Sequence, residues 1–230
     1  MSPRNEFSMF IEPEQRENVL RGILRNFYDS KTSTPIVFDT NRAWCTRIGA
    51  IAQLLPSSRM ICCVRNVAWI VDSFERLVQI NPLHESRTFS SKAVPNGASQ
   101  GITVYARGEL LMEKGGIVRV PLDALREAYY GQYAERIMLV RYESLARNPV
   151  TTMDAIYDFI GEERFPHDFD NVEFSAEEYD QQAGLPGLHT VRRKVEFRAR
   201  GMIIPPDIAA RFNIEFWNDV KQNLREVRIV

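Results

Sequence analysis

Short apolar runs rich in β-branched residues alternate with segments of helical periodicity along most of this sequence. The runs cover residues 35–38, 60–64 and 137–140, and a charged residue follows each one. Because parallel strands need a long crossover connection, usually a helix, this alternation favours a parallel sheet over an antiparallel one. The sequence therefore predicts an α/β fold with a mostly parallel sheet flanked by helices.

Around these runs apolar residues recur at three- and four-residue spacing, which is typical of amphipathic helices. We predict helices at seven places: Glu12–Ser30, Ala43–Leu55, a segment through Ile70, Phe74, Leu77 and Val78, Val104–Met112, Leu122–Tyr130, Val150–Ile160 and Pro206–Val220. Residues 81–101 are rich in Ser, Pro, Asn and Gly and lack periodicity, which predicts a long loop. We expect 230 residues to form one domain with an N-terminal helical region (1–34), an α/β core (35–161) and a C-terminal region (162–230).

Charge and cysteine usage exclude several classes of protein. The formal net charge is −1, from 29 basic and 30 acidic residues, so no global positive field favours nucleic acid. The three cysteines, two of them adjacent, form no disulfide framework and fit a reducing compartment. The sequence has no signal peptide and no run of about 18 apolar residues. We therefore expect a cytoplasmic protein that binds neither membranes nor nucleic acids.

The first candidate site lies where the second apolar run meets the helix that follows it. Arg65 closes the run, and Ser73 comes eight residues later, about two helical turns on. Ligands of open parallel sheets collect at the carboxyl ends of strands, and free N–H groups at a helix N-terminus favour anions. An Arg fork and a Ser hydroxyl at that edge can bind a phosphate. Alternatively, both are ordinary solvent-exposed residues.

Asp39 closes the first run in the same way, so we expect its side chain at the same edge of the sheet. Its carboxylate can act as a general base on a hydroxyl or amine. Arg42, three residues later, can balance charge on a transferred anionic group. The alternative is that Asp39 caps the helix predicted from Ala43.

A basic segment at residues 187–201 is the clearest local candidate for anion binding in this nearly neutral chain. Five basic residues fall within nine positions: Arg192, Arg193, Lys194, Arg198 and Arg200. The alternative is a solvated face. His189 precedes the cluster and can exchange protons near neutral pH. Tyr142 and Glu143 follow the third run, where the residues alone favour a structural role.

Motifs of several common enzyme classes are absent. No GxxxxGK[ST], GxGxxG, HExxH or GxSxG pattern occurs. The three His residues lie far apart and the three Cys residues lack the spacing of metal ligands, so we expect no metal.

Taken in order, these segments resemble the sulfotransferase family that uses 3′-phosphoadenosine 5′-phosphosulfate (PAPS), over roughly residues 35–217. The stretch VRN followed by Ser73 resembles the family motif in which a strand-end Arg, here Arg65, and a Ser hold the 3′-phosphate of PAPS. RYESLARNP resembles a family segment whose Tyr, here Tyr142, lies near the nucleotide.

Two further segments extend the resemblance. VFDTNRAW is similar to the E-K-[ST]-P segment of the carbohydrate sulfotransferases, whose acidic residue, here Asp39, is the catalytic base. Thr40 replaces the family's Lys, which leaves stabilisation of charge to Arg42. Arg192 and Lys194 occupy the place of the family's C-terminal nucleotide-binding loop.

The resemblance implies transfer of a sulfuryl group from PAPS to a hydroxyl or amine of a small molecule or carbohydrate, with adenosine 3′,5′-bisphosphate as product. It leaves a homodimer open. Family members carry a loop such as P-[RK]-[ST]-G-[ST]-T for the 5′-phosphosulfate, and this sequence lacks it, so we expect an N-terminally truncated form of the fold. The alternative function is a non-catalytic module that binds nucleotide or protein. A P-loop kinase relative would need a Walker loop, which is absent.

Overall fold

The computed structural model describes residues 10–29, 36–80, 103–174, 176–182, 187, 189–219, 221 and 223–230. The chain divides into two compact units, residues 1–58 and residues 59–230. Within the described residues, no helix combines the length and the apolar character needed to span a membrane.

Among its described residues, the first unit contains two α-helices. α1 covers Pro13–Asp29, as predicted, and begins with a proline, whose fixed φ suits a first helical turn. The helix predicted over 43–55 is divided into a 3₁₀ turn at Trp44–Arg47 and α2 at Ile48–Leu54. Ala52 and Leu54 are its buried residues.

The strand predicted at residues 35–38 is wrong for the three residues that the structure describes there. Residues 36–40 form no regular secondary structure. The side chains of Ile36, Val37 and Phe38 are 37%, 43% and 70% exposed. A β-branched run becomes a strand only where a neighbouring strand takes its backbone hydrogen bonds and covers its side chains. Pro35 lies outside the described residues.

The second unit holds a parallel sheet, which confirms the predicted fold class. Its described strands are β1 (Met60–Val64), β2 (Ile137–Arg141) and β3 (Arg228–Ile229), in the order β1-β2-β3. β1 and β2 match the second and third apolar runs, and Met60 pairs with Ile137 through to Val64 with Arg141. β2 is central, with Ile137 to Val140 all at most 1% exposed. The two-residue β3 carries too short a pattern to predict.

The helices of the second unit are α3 (Val67–Ile80), α4 (Val104–Met112), α5 (Arg119–Tyr130), α6 (Tyr142–Arg147), α7 (Pro149–Ile160), α8 (Glu177–Gln182) and α9 (Pro206–Arg211), with 3₁₀ turns at Ala134–Arg136 and Phe216–Asn218. The predicted helices in these regions are confirmed except at the last one. α7 is capped at its carboxyl end by Gly161, which has a φ of +79° in the left-handed region. The predicted loop at 81–101 lies outside the described residues.

The helix predicted over 206–220 ends at Arg211. The chain after it bonds to the start of α3 instead of continuing the helix. Asn66 Nδ2 donates to Asn213 Oδ1 at 2.6 Å, and the Val67 N–H donates to the Ile214 carbonyl at 3.3 Å. Tertiary hydrogen bonds therefore override the local helical pattern.

α3 presents two different faces, and this positions the site. Val67, Ala68 and Val71 are at most 2% exposed and pack in the core. Trp69 is half-buried and Ser73 is exposed. Trp69 and Ser73, whose side chains can contact a ligand, therefore lie on the outer face of α3, and the inner face of the same helix packs in the core.

Candidate anion-binding site

The carboxyl edge of the sheet brings two predicted site residues together. β1 ends at Val64, Arg65 lies in the turn, and α3 begins at Val67. Val64 pairs with Arg141, so Tyr142, the residue after β2, leaves the sheet at the same edge as Arg65. In this turn Asn66 Oδ1 accepts a hydrogen bond from the Ala68 N–H at 2.9 Å, which fixes the entry into α3.

The Arg65 guanidinium group is held by aromatic rings. Its carbon lies 3.9 Å from the centre of the Tyr142 ring and 5.2 Å from that of Trp69, within the range of cation–π attraction. Nε lies 3.7 Å from a carboxylate oxygen of Glu143, an ion-pair distance too long for a hydrogen bond. Buried Nε has no hydrogen-bond partner among the described residues. Because an unpaired buried donor costs free energy, this N–H favours an incoming anion.

Arg65 and Ser73 line the same cleft. Its volume is about 180 Å³, and its lining residues are Arg65, Trp69, Ile70, Ser73, Phe74 and Leu77. The structure thus brings Arg65 and Ser73 to one surface and stacks Tyr142 against Arg65. Their roles in binding a phosphate remain predictions.

Arg200 adds a charge that the sequence did not single out. Its guanidinium carbon lies 5.4 Å from the Trp69 ring centre, and Nη2 lies 3.3 Å from Oδ2 of buried Asp72. Burial lowers the pKa of Arg200, and the positive charges of Arg76 and Arg65 lower it further. Arg76 and Arg200 both contact Asp72 Oδ2, and Arg200 and Arg65 both lie near the Trp69 ring, so positive charge is concentrated here, which favours an anion. The one sequence feature that indicates a role for Arg200 is its position in the basic segment.

Arg192 and Lys194 are not among the residues that line the cleft. Both are exposed, and Lys194 Nζ lies 2.8 Å from Asp170 Oδ1. The hydrogen bond to Asp170 raises the pKa of the Lys194 amine. Around it, the Val195 N–H donates to the Phe169 carbonyl at 2.8 Å. This part of the basic segment therefore has a local partner of its own.

Asp39 and Arg42 lie in the first unit. The Tyr28 hydroxyl donates to Asp39 Oδ2 at 2.6 Å, and Trp44 Nε1 donates to Oδ1 at 2.8 Å. These bonds hold the pKa of Asp39 below its usual value and raise that of Tyr28 to about 12. The Asn41 Oδ1 accepts from the Ala43 N–H at 2.8 Å in the turn before the 3₁₀ helix, which has no side-chain cap, so the alternative that Asp39 caps this helix is wrong. Arg42 is exposed in the same turn.

His189 is oriented by a buried carboxylate. Asp180 is 2% exposed and contacts His189 Nδ1 at 2.5 Å, while its other oxygen accepts from the His189 N–H at 2.7 Å. Burial raises the pKa of Asp180, but the bonds from His189 outweigh burial and lower it overall. The His189 side chain is 46% exposed, so an Asp–His pair faces solvent. Within the described residues, no group of three or more His, Cys, Asp or Glu is placed to hold a metal ion.

Comparison with known proteins decides the family. A family model described as the sulfotransferase family matches residues 5–167, which is more than half of the chain. The protein belongs to the sulfotransferase family. No curated protein and no solved structure gives a match.

The sulfotransferase match separates two groups of predicted residues. It includes Asp39, Arg65, Ser73 and Tyr142, and therefore the turns that follow β1 and β2. It ends before the basic segment at 187–201. It begins at residue 5, earlier than the resemblance seen in the motifs, and so takes in α1.

Proposed function

We propose that the protein transfers a sulfuryl group from PAPS to a hydroxyl or amine of a small molecule or carbohydrate. The observation that carries this proposal is the cleft that Arg65 and Ser73 line together. Arg65 also has a buried Nε that lacks a partner within the described residues. The donor set fits a phosphate, because guanidinium N–H groups and a hydroxyl all donate hydrogen bonds to its oxygens. When bound, PAPS supplies the activated sulfuryl group.

In this proposal Arg65 and Ser73 hold the 3′-phosphate, and Arg200 adds positive charge beside them. Tyr142 keeps the Arg65 guanidinium plane in one orientation, which reduces the entropy lost when the anion binds. Arg192 and Lys194 remain proposed phosphate contacts. Lys194 is a weaker candidate for a phosphate contact than Arg65, because its amine already pairs with Asp170.

Asp39 and His189 are the two candidates for the general base. Two donors occupy both oxygens of Asp39 and lower its pKa, which makes it a weak proton acceptor. Asp180 holds Nδ1 of His189, which leaves Nε2 to accept a proton. We therefore assign this role to His189 ahead of Asp39, and Arg42 is the proposed stabiliser of the transferred group. His189→Gln should lower the rate of transfer by about 100-fold or more, and Asp39→Asn should lower it less.

A second candidate function is nucleotide binding without transfer. It is favoured by one observation, the absence of a P-[RK]-[ST]-G-[ST]-T loop from the printed sequence. Such a module would bind adenosine 3′,5′-bisphosphate through the same cleft.

Calorimetric titration with adenosine 3′,5′-bisphosphate tests the shared binding step. Arg65→Ala should weaken binding by about 10- to 100-fold, the equivalent of the ~1.5–3 kcal/mol of a charged hydrogen bond. Arg164→Ala is the control, because exposed Arg164 pairs with Asp154 and Asp158 and does not line the cleft. Equal affinities for the two variants would rule out the proposed site. Sulfate release from PAPS then separates a transferase from a module that only binds.

A further inference from the structure

Asp72 is a buried carboxylate whose two oxygens serve two different groups of partners. It is 0% exposed and lies in α3, directly before Ser73. Oδ1 accepts hydrogen bonds from the N–H groups of Ile203 and Ile204 at 2.6 and 3.4 Å. Oδ2 accepts from Arg76 Nε at 3.0 Å and lies 3.3 Å from Arg200 Nη2. A buried charge is tolerated only when it is paired and hydrogen-bonded, and Asp72 meets both conditions.

These contacts attach residues 200–204 to α3, the helix that supplies Trp69 and Ser73 to the cleft. Arg76, one turn after Asp72, also donates from Nη2 to the Gly201 carbonyl oxygen at 2.5 Å. Two side chains of α3, Asp72 and Arg76, therefore fix the backbone that follows Arg200. Its own charge is opposed by Arg76 and Arg65 and is favoured by Asp72.

We propose that Asp72 is the positioning residue of the anion-binding cleft: it holds Arg200 beside Trp69 and Arg65 before the ligand arrives. The proposal rests on the proposed function only for the identity of the anion. Without the negative charge, repulsion from two arginines displaces Arg200 from its place beside Trp69. Binding then includes the cost of bringing it back, which a preorganised site avoids.

Replacing Asp72 by Asn separates its two tasks. The amide oxygen of an Asn can still accept from the Ile203 N–H, but the amide NH₂ group then faces guanidinium donors. Asp72→Asn should weaken binding of adenosine 3′,5′-bisphosphate by about 10-fold, comparable with Arg200→Gln. In the double variant, the Asp72 change should cost less than about twofold beyond Arg200→Gln alone, because its effect passes through Arg200. If the affinity losses of the two single variants multiply in the double variant, the proposal is overturned.

The fluorescence emission of Trp69 tests the position of Arg200 in the absence of ligand. The sequence has three tryptophans, Trp44, Trp69 and Trp217, so subtracting the spectrum of the matching Trp69→Phe variants isolates the emission of Trp69. Asp72→Asn and Arg200→Gln should shift this emission in the same direction, and the double variant should add nothing. A purely structural Asp72 would shift it in the Arg200→Gln background as well.

Further variants keep the proposal testable if Asp72→Asn does not fold. Arg200→Lys keeps a positive charge opposite Asp72 and should recover part of the affinity lost in Arg200→Gln. Wild-type affinity in Arg200→Gln would overturn the proposal. If Arg65→Ala also binds like the wild type, the proposed function fails as well. If only Arg65→Ala weakens binding, the cleft stands and the role of Asp72 is refuted.

Discussion

The ion pair between Arg107 and Glu75 joins α4 to α3 and is a strong test of the energetics of this fold. Arg107 Nε donates to Glu75 Oε2 at 2.8 Å and Nη2 donates to Oε1 at 2.6 Å, so the pair is bidentate. The two side chains are only 12% and 7% exposed. Removing one partner of such a pair leaves a charge in the interior, and this costs about 3–5 kcal/mol.

Arg107→Met removes the charge and keeps most of the aliphatic stem. With a urea m-value of about 2 kcal/mol/M, the expected loss lowers the urea midpoint by about 1.5–2.5 M. The control is Arg211→Met, because Arg211 contacts Glu109 on the same helix α4 but the side chains are 63% and 49% exposed. An exposed pair contributes about 0–1 kcal/mol, so the control should shift the midpoint by less than about 0.5 M.

Urea unfolding followed by far-UV circular dichroism measures both variants, and unchanged m-values would show that the comparison concerns stability alone. The double variant Glu75→Leu with Arg107→Met should recover most of the loss, since it removes both buried charges. Equal midpoint shifts for Arg107→Met and Arg211→Met would show that burial does not set the strength of these pairs, and the reasoning would then be refuted.

Two smaller predictions concern backbone strain and protonation. Gly161→Ala should lower the free energy of unfolding by about 1–2 kcal/mol, because the residue has a φ of +79°. A new Cβ meets nothing within 4 Å, so backbone strain rather than a steric clash causes this loss. Gly22→Ala, inside α1 with equally open surroundings, should instead raise it by about 0.5–1 kcal/mol, and thermal unfolding distinguishes the signs. Tyr28→Phe should raise the pKa of Asp39 towards its ordinary value, since the largest cause of its lowering is lost. Titration of the Asp39 carboxyl by NMR checks this, and an unchanged pKa would contradict the hydrogen bond.

Local patterns predict two strands of the sheet, β1 and β2. The runs at 60–64 and 137–140 became β1 and β2, while the similar run at 36–38 formed no strand. Whether a run becomes a strand depends on pairing with a strand distant in sequence, and a local pattern carries no information about that pairing. For the same reason the two residues of β3 escaped prediction.

The candidate site shows the same division. Arg65 and Ser73 belong to one strand–turn–helix unit, so their shared cleft follows from spacing along the chain. Arg200 reaches Trp69 from a residue 131 positions away, through its contact with Asp72. The sequence shows a basic segment there, but only the tertiary structure distinguishes Arg200, which contacts Trp69 and Asp72, from Lys194, which pairs with Asp170.

The pairing of β3 with β2 has a consequence for synthesis of the protein. The Val230 N–H donates to the Leu139 carbonyl at 2.9 Å, and the Arg141 N–H donates to the Val230 carbonyl at 2.8 Å. One edge of the central strand therefore gains these partners only after residue 230 has left the ribosome. Until then β2 presents unpaired backbone groups along a strand whose residues 137–140 are all apolar, the kind of nascent surface that chaperones bind. The order of translation thus makes the completed sheet a late event in folding.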